Sequence, residues 1–132
     1  MARRAMCSGF ATRLASSALI LVLVAAPALA QSVRLVVQSS PLAGFRYHAA
    51  GELWSEFRVG DVLTLVREHD NPHDANAVSV AWRGQKLGYV PRRENALLAW
   101  SLDRGERLRA RISRLQAHPN PARRLEFEVY IE

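Results

Sequence analysis

The sequence predicts a mainly β fold, a small β-barrel or partly open sheet of about six strands with one helix near residues 92–103. Short β-branched segments alternate with turn-forming residues, and a single segment carries apolar residues at helical spacing. The length of 132 residues favours a single domain, and 49% hydrophobic with 23% charged residues is the composition of a folded chain.

The first thirty residues predict a secretory signal peptide. Three arginines precede the almost wholly apolar run Leu14–Ala26, and Pro27–Ala30 supplies alanine at both positions where a signal peptidase needs small side chains. An uncleaved anchor is the less favoured alternative, because the run is short for a span of about 20 residues and ends at proline. We therefore expect a leader over 1–30 and a periplasmic or secreted mature domain over 31–132, without a membrane span after cleavage.

The net charge of +6 is unevenly distributed along the chain. The leader holds three arginines and no acidic residue, so the mature part has fifteen basic and twelve acidic residues, a balance of +3. Residues 81–124 are the basic part, with eleven basic and three acidic residues, which is compatible with a nucleic-acid partner. The one cysteine, Cys7, lies in the leader, so the mature chain forms neither a disulfide nor a cysteine zinc site.

Four strands are predicted before the helix. The first is Ser32–Gln38, which a Ser-Ser-Pro turn ends, and Val62–Arg67 follows a Val-Gly-Asp turn. Asn76–Trp82 and Lys86–Val90 flank Arg-Gly-Gln, which is typical of a tight turn. A proline at 91 then stops the sheet, because proline donates no ladder hydrogen bond.

The predicted helix spans Arg92–Leu102. Apolar residues from Ala96 onward recur near helical spacing, and Asp103-Arg104-Gly105 is typical of a helix end. In a domain of this size large aromatic residues matter to the core. We expect much of the core to come from Trp54, Phe57, Trp82, Trp100 and Phe127.

The last two strands, Arg107–Leu115 and Leu125–Glu132, alternate apolar and charged residues around a loop that contains two prolines. They predict an antiparallel hairpin whose outer arginines oppose glutamates, so that the arginine stripe is neutralised. The predicted pairs are Leu108 with Val129, Ala110 with Phe127, Ile112 with Leu125, Arg109 with Glu128, and Arg111 with Glu126.

Four segments together resemble a known family. They are Ala43-Gly-Phe-Arg-Tyr47, then Arg67-Glu-x-x-Asn-Pro-x-Asp-x-Asn-Ala-Val78, then Leu87-Gly-Tyr-Val-Pro-Arg-Arg93, and the helical segment Asn95-Ala-Leu-Leu-Ala-Trp100. In this order and spacing they resemble the HIRAN domain, over about Val33 to Ile131. The resemblance implies a small OB-like β-barrel with a helix, and a module that grips the 3′ end of single-stranded DNA. The binding candidates it implies are Arg46, Tyr47, His48, Asn71, His73, Asp74, Tyr89 and Arg92.

The chemistry of these residues supports the same role. Arg46, Tyr47 and His48 combine positive charge with flat rings, as single-strand binding requires. Arg92 and Arg93 stand at the predicted helix start, where backbone amides favour an anion. Arg46 and Arg92 are the two candidates most expected to bind ligand.

Several of these residues also have a purely structural interpretation. Asn71 and Asp74 suit a turn in which Asx side chains bond their own backbone, and Tyr47 and Tyr89 suit the edge of a core. Two histidines and two aspartates within 69–74 also resemble a zinc site, although a solvated turn is the favoured interpretation.

The sequence therefore predicts an exported, stand-alone HIRAN-like module that binds single-stranded nucleic acid. Single-stranded DNA or its 3′ end is the first candidate ligand. No nucleophile elbow, P-loop or paired-carboxylate motif is present, so we expect no enzymatic activity and no cofactor. The alternative is a periplasmic module that has lost DNA binding and binds an envelope protein, a small ligand or a metal. His48 and His73 favour this alternative, since they stand where the family pattern has aromatic residues.

Overall fold

The computed structural model describes residues 9, 20–23, 25–27 and 32–132. The chain divides into two units, Met1–Ala30 and Gln31–Glu132, and the fold described below is that of the second. Most of the predicted signal peptide and its cleavage site lie outside the described residues. In the part of the chain that is described, no helix has the length and apolarity needed to cross a membrane.

Six antiparallel strands form the domain, in the order β1-β6-β5-β2-β3-β4. Two short helices, α1 at Ala50–Leu53 and α2 at Ala96–Asp103, lie between strands. The strands are β1 Leu35–Pro41, β2 Val62–Arg67, β3 Val78–Trp82, β4 Gln85–Tyr89, β5 Arg109–Leu115 and β6 Leu125–Ile131.

The two edges of the sheet meet just beyond β1. Ala43 and Tyr89 exchange two backbone hydrogen bonds of 2.9 Å each, so the chain after β1 pairs with β4. Gly88 permits this approach, because a Cβ there would collide with the carbonyl oxygen of Ala43 and lie 3.1 Å from Leu42 Cδ1. The closed, barrel-like arrangement confirms the predicted mainly β, OB-like fold.

A row of edge-to-face aromatic rings fills one side of the core. Phe57 lies 5.1 Å from Trp82 and 6.4 Å from Trp54, which in turn lies 5.9 Å from Phe45, between ring centroids. Such contacts add to the burial of the rings. The predicted place of Trp100 in the core is wrong, since its side chain is 53% exposed.

The exposure of Trp100 follows from the orientation of α2. Leu98 and Ala99 are buried, and each helical residue is rotated about 100° from its neighbour. The face that Leu98 directs inward therefore leaves Trp100 and Leu97 on the outer side, where Leu97 is 68% exposed.

Two predicted boundaries are corrected. The first strand lies three residues further along than predicted and includes Pro41, which an edge strand tolerates because it needs no outward donor. Arg92–Glu94 is a separate 3₁₀ turn, closed by the Glu94 N–H on the Pro91 carbonyl at 3.0 Å. Helix α2 starts only at Ala96, so the first α-helical turn does not contain Arg92.

The predicted hairpin exists, but its register is wrong by two residues. The 3₁₀ turn Pro121–Arg123 precedes β6, which starts at Leu125. A bulge at Ser113 allows the pairing of β5 with β6 to continue to Leu115. Up to Ile112 the two-residue shift leaves each side chain on its predicted face, so apolar residues still oppose apolar ones, and beyond the bulge the shift is three residues. The observed pairs are Arg109 with Tyr130, Ala110 with Val129, Arg111 with Glu128, Ile112 with Phe127, Arg114 with Glu126, and Leu115 with Leu125.

The close approach of residue 88 to the Ala43 backbone predicts that a larger residue at this position destabilises the domain. Gly88→Ala should lower the free energy of unfolding by about 1–3 kcal/mol, because the new methyl group must displace the Ala43 backbone or break its pairing. Urea unfolding measures this difference. Gly51→Ala is the matched control, since a Cβ there meets nothing closer than Phe45 Cε1 at 3.9 Å. Equal stabilities of the two variants would contradict the proposed constraint.

Candidate nucleic-acid interface

A cavity of about 360 Å³ lies where the sheet closes. Six of the eight predicted site residues line it, and they come from three separate segments of the chain. Ala43, Ala77 and Val90 provide an apolar part of its wall. The six predicted residues are His48, Asn71, His73, Asp74, Tyr89 and Arg92.

Arg46 and Tyr47 lie outside that cavity. They belong to the 3₁₀ turn Phe45–Tyr47, which Gly44 introduces with a φ of 77° and which Phe45 anchors by its burial. The turn leaves Tyr47 82% exposed beside a smaller cavity of about 160 Å³. The opposite wall of this second cavity is the β5–β6 loop, at Asn120–Ala122.

The ring of Tyr89 is held from behind by an ion pair. Its hydroxyl donates to Glu68 Oε1 at 2.9 Å and accepts from Lys86 Nζ at 3.0 Å. Lys86 Nζ also lies 2.7 Å from Glu68 Oε2. The ring of His48 packs edge-on against Tyr89, with centroids 5.5 Å apart. Tyr89 therefore has a fixed position in the cavity wall.

Lys86 and Glu68 are site residues that the sequence prediction missed. Lys86 is an odd number of residues from Tyr89 and would point to the other face of a regular strand. The register of β3 and β4 shifts between Val80 and Ala81, which leaves Leu87 as the extra residue and returns Lys86 to the side of Tyr89. Glu68 stands within the family pattern, which is the one signal in the sequence that could have identified it.

The ion pair shifts the pKa values of Glu68 and Lys86. Partial burial acts to raise the pKa of Glu68, but the hydrogen bonds from Lys86, Tyr89 and Asn71 outweigh it and hold the pKa below 4.5. The hydrogen bond to Glu68 raises the pKa of Lys86 above 10.5. Both groups are charged near neutral pH and compensate one another, so the positive charge beside the cavity comes from Arg92.

Asn71 and Asp74 shape the turn that borders the cavity. Asn71 Oδ1 accepts the His73 N–H at 2.9 Å, and Asp74 Oδ1 accepts the Asn76 N–H at 2.9 Å. Asp74 Oδ2 accepts a hydrogen bond of 2.7 Å from the amide of Asn95, which is 2% exposed. The turn is thereby joined to the start of α2. Asn71 and Asp74 thus have the structural role that the sequence suggested, and both side chains also line the cavity.

The residues weighed as a zinc site do not converge. His69 Nε2 lies 3.2 Å from Asp103 Oδ1 on α2, whereas His73 and Asp74 line the cavity. Within the described ranges, no group of three or more histidine, cysteine or acidic side chains is placed to hold a metal ion.

The fold is that of a small barrel-like β module with a cavity at the closure of its sheet. A family model for the HIRAN domain matches residues 35–132, and the chain belongs to this family, as the order of motifs predicted. HIRAN is a binding domain. No curated protein matches the sequence.

Two solved structures resemble the chain. One is a protein from Lactobacillus plantarum, with 29% identity and a TM-score of 0.64, covering 74% of this chain and 94% of the other. The second is the HIRAN domain of human HLTF, with 16% identity, a TM-score of 0.53 and 74% coverage of each chain. The likeness to the human domain is one of fold.

The Glu68–Lys86 pair predicts a pH-dependent loss of stability in Glu68→Gln. Because folding lowers the pKa of Glu68, its stabilisation is present above the unfolded pKa and is lost as the pH falls through the folded pKa. The variant should lose about 1 kcal/mol near neutral pH and clearly less at acidic pH, measured by urea unfolding. The exposed Glu52→Gln is the control, and an equal cost of Glu68→Gln at both pH values would contradict the assignment.

Proposed function

We propose that this chain binds single-stranded nucleic acid and that the cavity beside Tyr89 receives a strand end, with single-stranded DNA and its 3′ end as the first candidate. One observation carries the proposal. Six residues from three segments meet in one cavity, in a chain of a family whose domains generally bind nucleic acid.

The side chains suit the two parts of a nucleotide. Tyr89 and His48 offer rings against which a base can stack, and base–aromatic stacking contributes about 1–3 kcal/mol per base. Arg92 is exposed and makes no ion pair with the described residues, so its guanidinium is available to a phosphate. Tyr47 and Arg46 offer the same pair of groups beside the second cavity.

The arginines of the last hairpin contribute less to such a surface. Arg111 lies 3.0 Å from Glu128, and Arg109 lies 3.5 Å from Glu132, between side-chain nitrogen and oxygen atoms. These pairs neutralise much of the stripe. We therefore assign nucleic-acid recognition to the residues around the two cavities and not to the bulk charge of the chain.

We also infer a binding role without catalysis. The residues that line the cavity include no serine, threonine or cysteine, and its one carboxylate, Asp74, and its one phenol, Tyr89, are held by hydrogen bonds within the domain. Turnover of an oligonucleotide by the purified protein would overturn this inference.

Arg92→Ala should weaken binding of a labelled single-stranded oligonucleotide by roughly 3–10-fold and reduce the slope of affinity against salt by about one unit. Fluorescence anisotropy at several salt concentrations measures both. Arg104→Ala is the matched control, since Arg104 pairs with Glu106 at 2.9 Å beyond the opposite end of α2. No binding of any oligonucleotide at low salt would reject the proposal, and equal affinity for a circular strand would reject its end-binding part.

Export is a separate proposal that rests on the leader alone. Expression of the full chain with its natural start should yield a mature protein that begins at Gln31 in the periplasmic or culture fraction. N-terminal sequencing of that fraction checks it. Replacement of both Ala28 and Ala30 by bulky residues should retain the leader, and an intact leader on the cytoplasmic wild-type protein would contradict export.

A further inference from the structure

We infer that a bound single strand continues from the second cavity across the β5–β6 loop to a third cavity, where Arg114 and Arg123 bind its phosphates. This third cavity, called the loop cavity below, has a volume of about 330 Å³. The inference rests on the proposed nucleic-acid binding and adds a contact beyond the two cavities already described. The residues that line the loop cavity are Arg114, Gln116, His118, Arg123 and Glu126.

The second cavity and the loop cavity share one loop as a wall. Asn120–Ala122 lines the second cavity, whereas His118 and Arg123 line the loop cavity. Arg123 follows Ala122 directly in the chain, and His118 precedes Asn120 by two residues. A strand that occupies the second cavity therefore has only this short loop to cross before it reaches the arginines beyond it.

The loop between the two cavities is held in a fixed conformation. The backbone N–H of Asn120 donates to His118 Nδ1 at 2.9 Å. Arg124 Nε donates to the carbonyl oxygen of His118 at 2.7 Å, and the guanidinium of Arg124 lies 5.4 Å from the centre of the Phe45 ring. Phe45 belongs to the 3₁₀ turn on the opposite wall of the second cavity. Because the loop is already ordered, a strand that crosses it loses little affinity to ordering.

Positive charge prevails in the loop cavity. Arg123 is exposed and makes no ion pair with another described residue. Arg114 donates to Gln116 Oε1 at 2.8 Å, and its separation of 4.0 Å from Glu126 is long for an ion pair. Since His118 Nδ1 accepts a backbone N–H, the neutral ring carries its proton on Nε2 and offers a further donor. Two arginines against one carboxylate leave a net positive charge.

A phosphodiester backbone matches this arrangement. Each of its linkages carries one negative charge and acceptor oxygens that an arginine can bind with two parallel hydrogen bonds. Arg92, Arg46 and Arg123 each line one of the three cavities, and the exposed ring of Tyr47 lies beside the middle one. Positive charge along the backbone with aromatic rings for the bases is typical of single-strand binders, whose OB folds contact about 4–16 nucleotides. We therefore expect a footprint of at least about four nucleotides.

The first test neutralises one phosphate of the strand at a time. Single strands of one sequence and about eight nucleotides each carry one uncharged methylphosphonate linkage, placed at a different distance from the 3′ end. Fluorescence anisotropy should show a loss of affinity of about threefold or more at each linkage that an arginine binds. Arg123→Ala should abolish this loss at the linkages farthest from the 3′ end and preserve it near the end. A scan that is the same in Arg123→Ala and the wild type overturns the inference.

The second test compares strand lengths. Arg123→Ala should weaken binding of the eight-nucleotide strand by about 3–10-fold and leave the affinity for a trinucleotide, measured by competition at low salt, unchanged. Arg107→Ala is the matched control, because Arg107 is likewise exposed, precedes β5 at the end opposite to Arg114 and lines none of the three cavities. Circular dichroism verifies that both variants are folded.

The outcomes separate this inference from the proposed function. Equal effects of Arg123→Ala and Arg107→Ala on the eight-nucleotide strand overturn the inference, as does an equal effect of Arg123→Ala on both strand lengths. In either case a loss of affinity in Arg92→Ala still supports nucleic-acid binding at the cavity beside Tyr89. Absence of binding to any strand at low salt overturns both proposals.

Discussion

The pair of backbone hydrogen bonds between Ala43 and Tyr89 is the contact on which the rest of the molecule depends. It turns an open sheet into a closed one, and it is possible because residue 88 has no side chain. His48 follows the first partner by five residues, and Tyr89 is the second partner, so the same contact that closes the sheet also brings the two rings together. The cavity is thus a product of closure, and the hydrogen bond from Asn95 to Asp74 holds the turn that completes its wall.

The sequence predicted the architecture because alternation and turn residues report directly on local structure. Val62–Arg67 was predicted with the observed bounds, and Gly105 does end the helix region with a φ of 81°. The hairpin register and the exposure of Trp100 depended on information that local pattern does not contain. Alternation determines which face of the sheet a residue occupies, but a register shift of two residues leaves the alternation unchanged. A short helix with apolar residues all round does not reveal which side packs inward.

The site was predictable to the extent that it is encoded in motif order. Six candidates share one cavity because the turn after β2, the end of β4 and the segment after β1 converge at the closure. Arg46 and Tyr47 are adjacent to His48 in sequence, yet the left-handed backbone at Gly44 and the 3₁₀ turn direct them to another surface. The support behind Tyr89 depends on the bulge at Leu87, which no periodicity indicates. Local spacing therefore identified residues that meet in one cavity, whereas tertiary geometry determined their arrangement within it.

The ion pair behind Tyr89 has a thermodynamic consequence for ligand binding. A ring that is already held at its hydroxyl by Glu68 and Lys86 loses little rotational freedom when a base stacks on it. Tyr47 is 82% exposed, and its ring must become ordered when it makes a contact. Under the proposed function the two tyrosines thus differ in entropy cost, because a base meets a preorganised ring at Tyr89 and an adaptable ring at Tyr47.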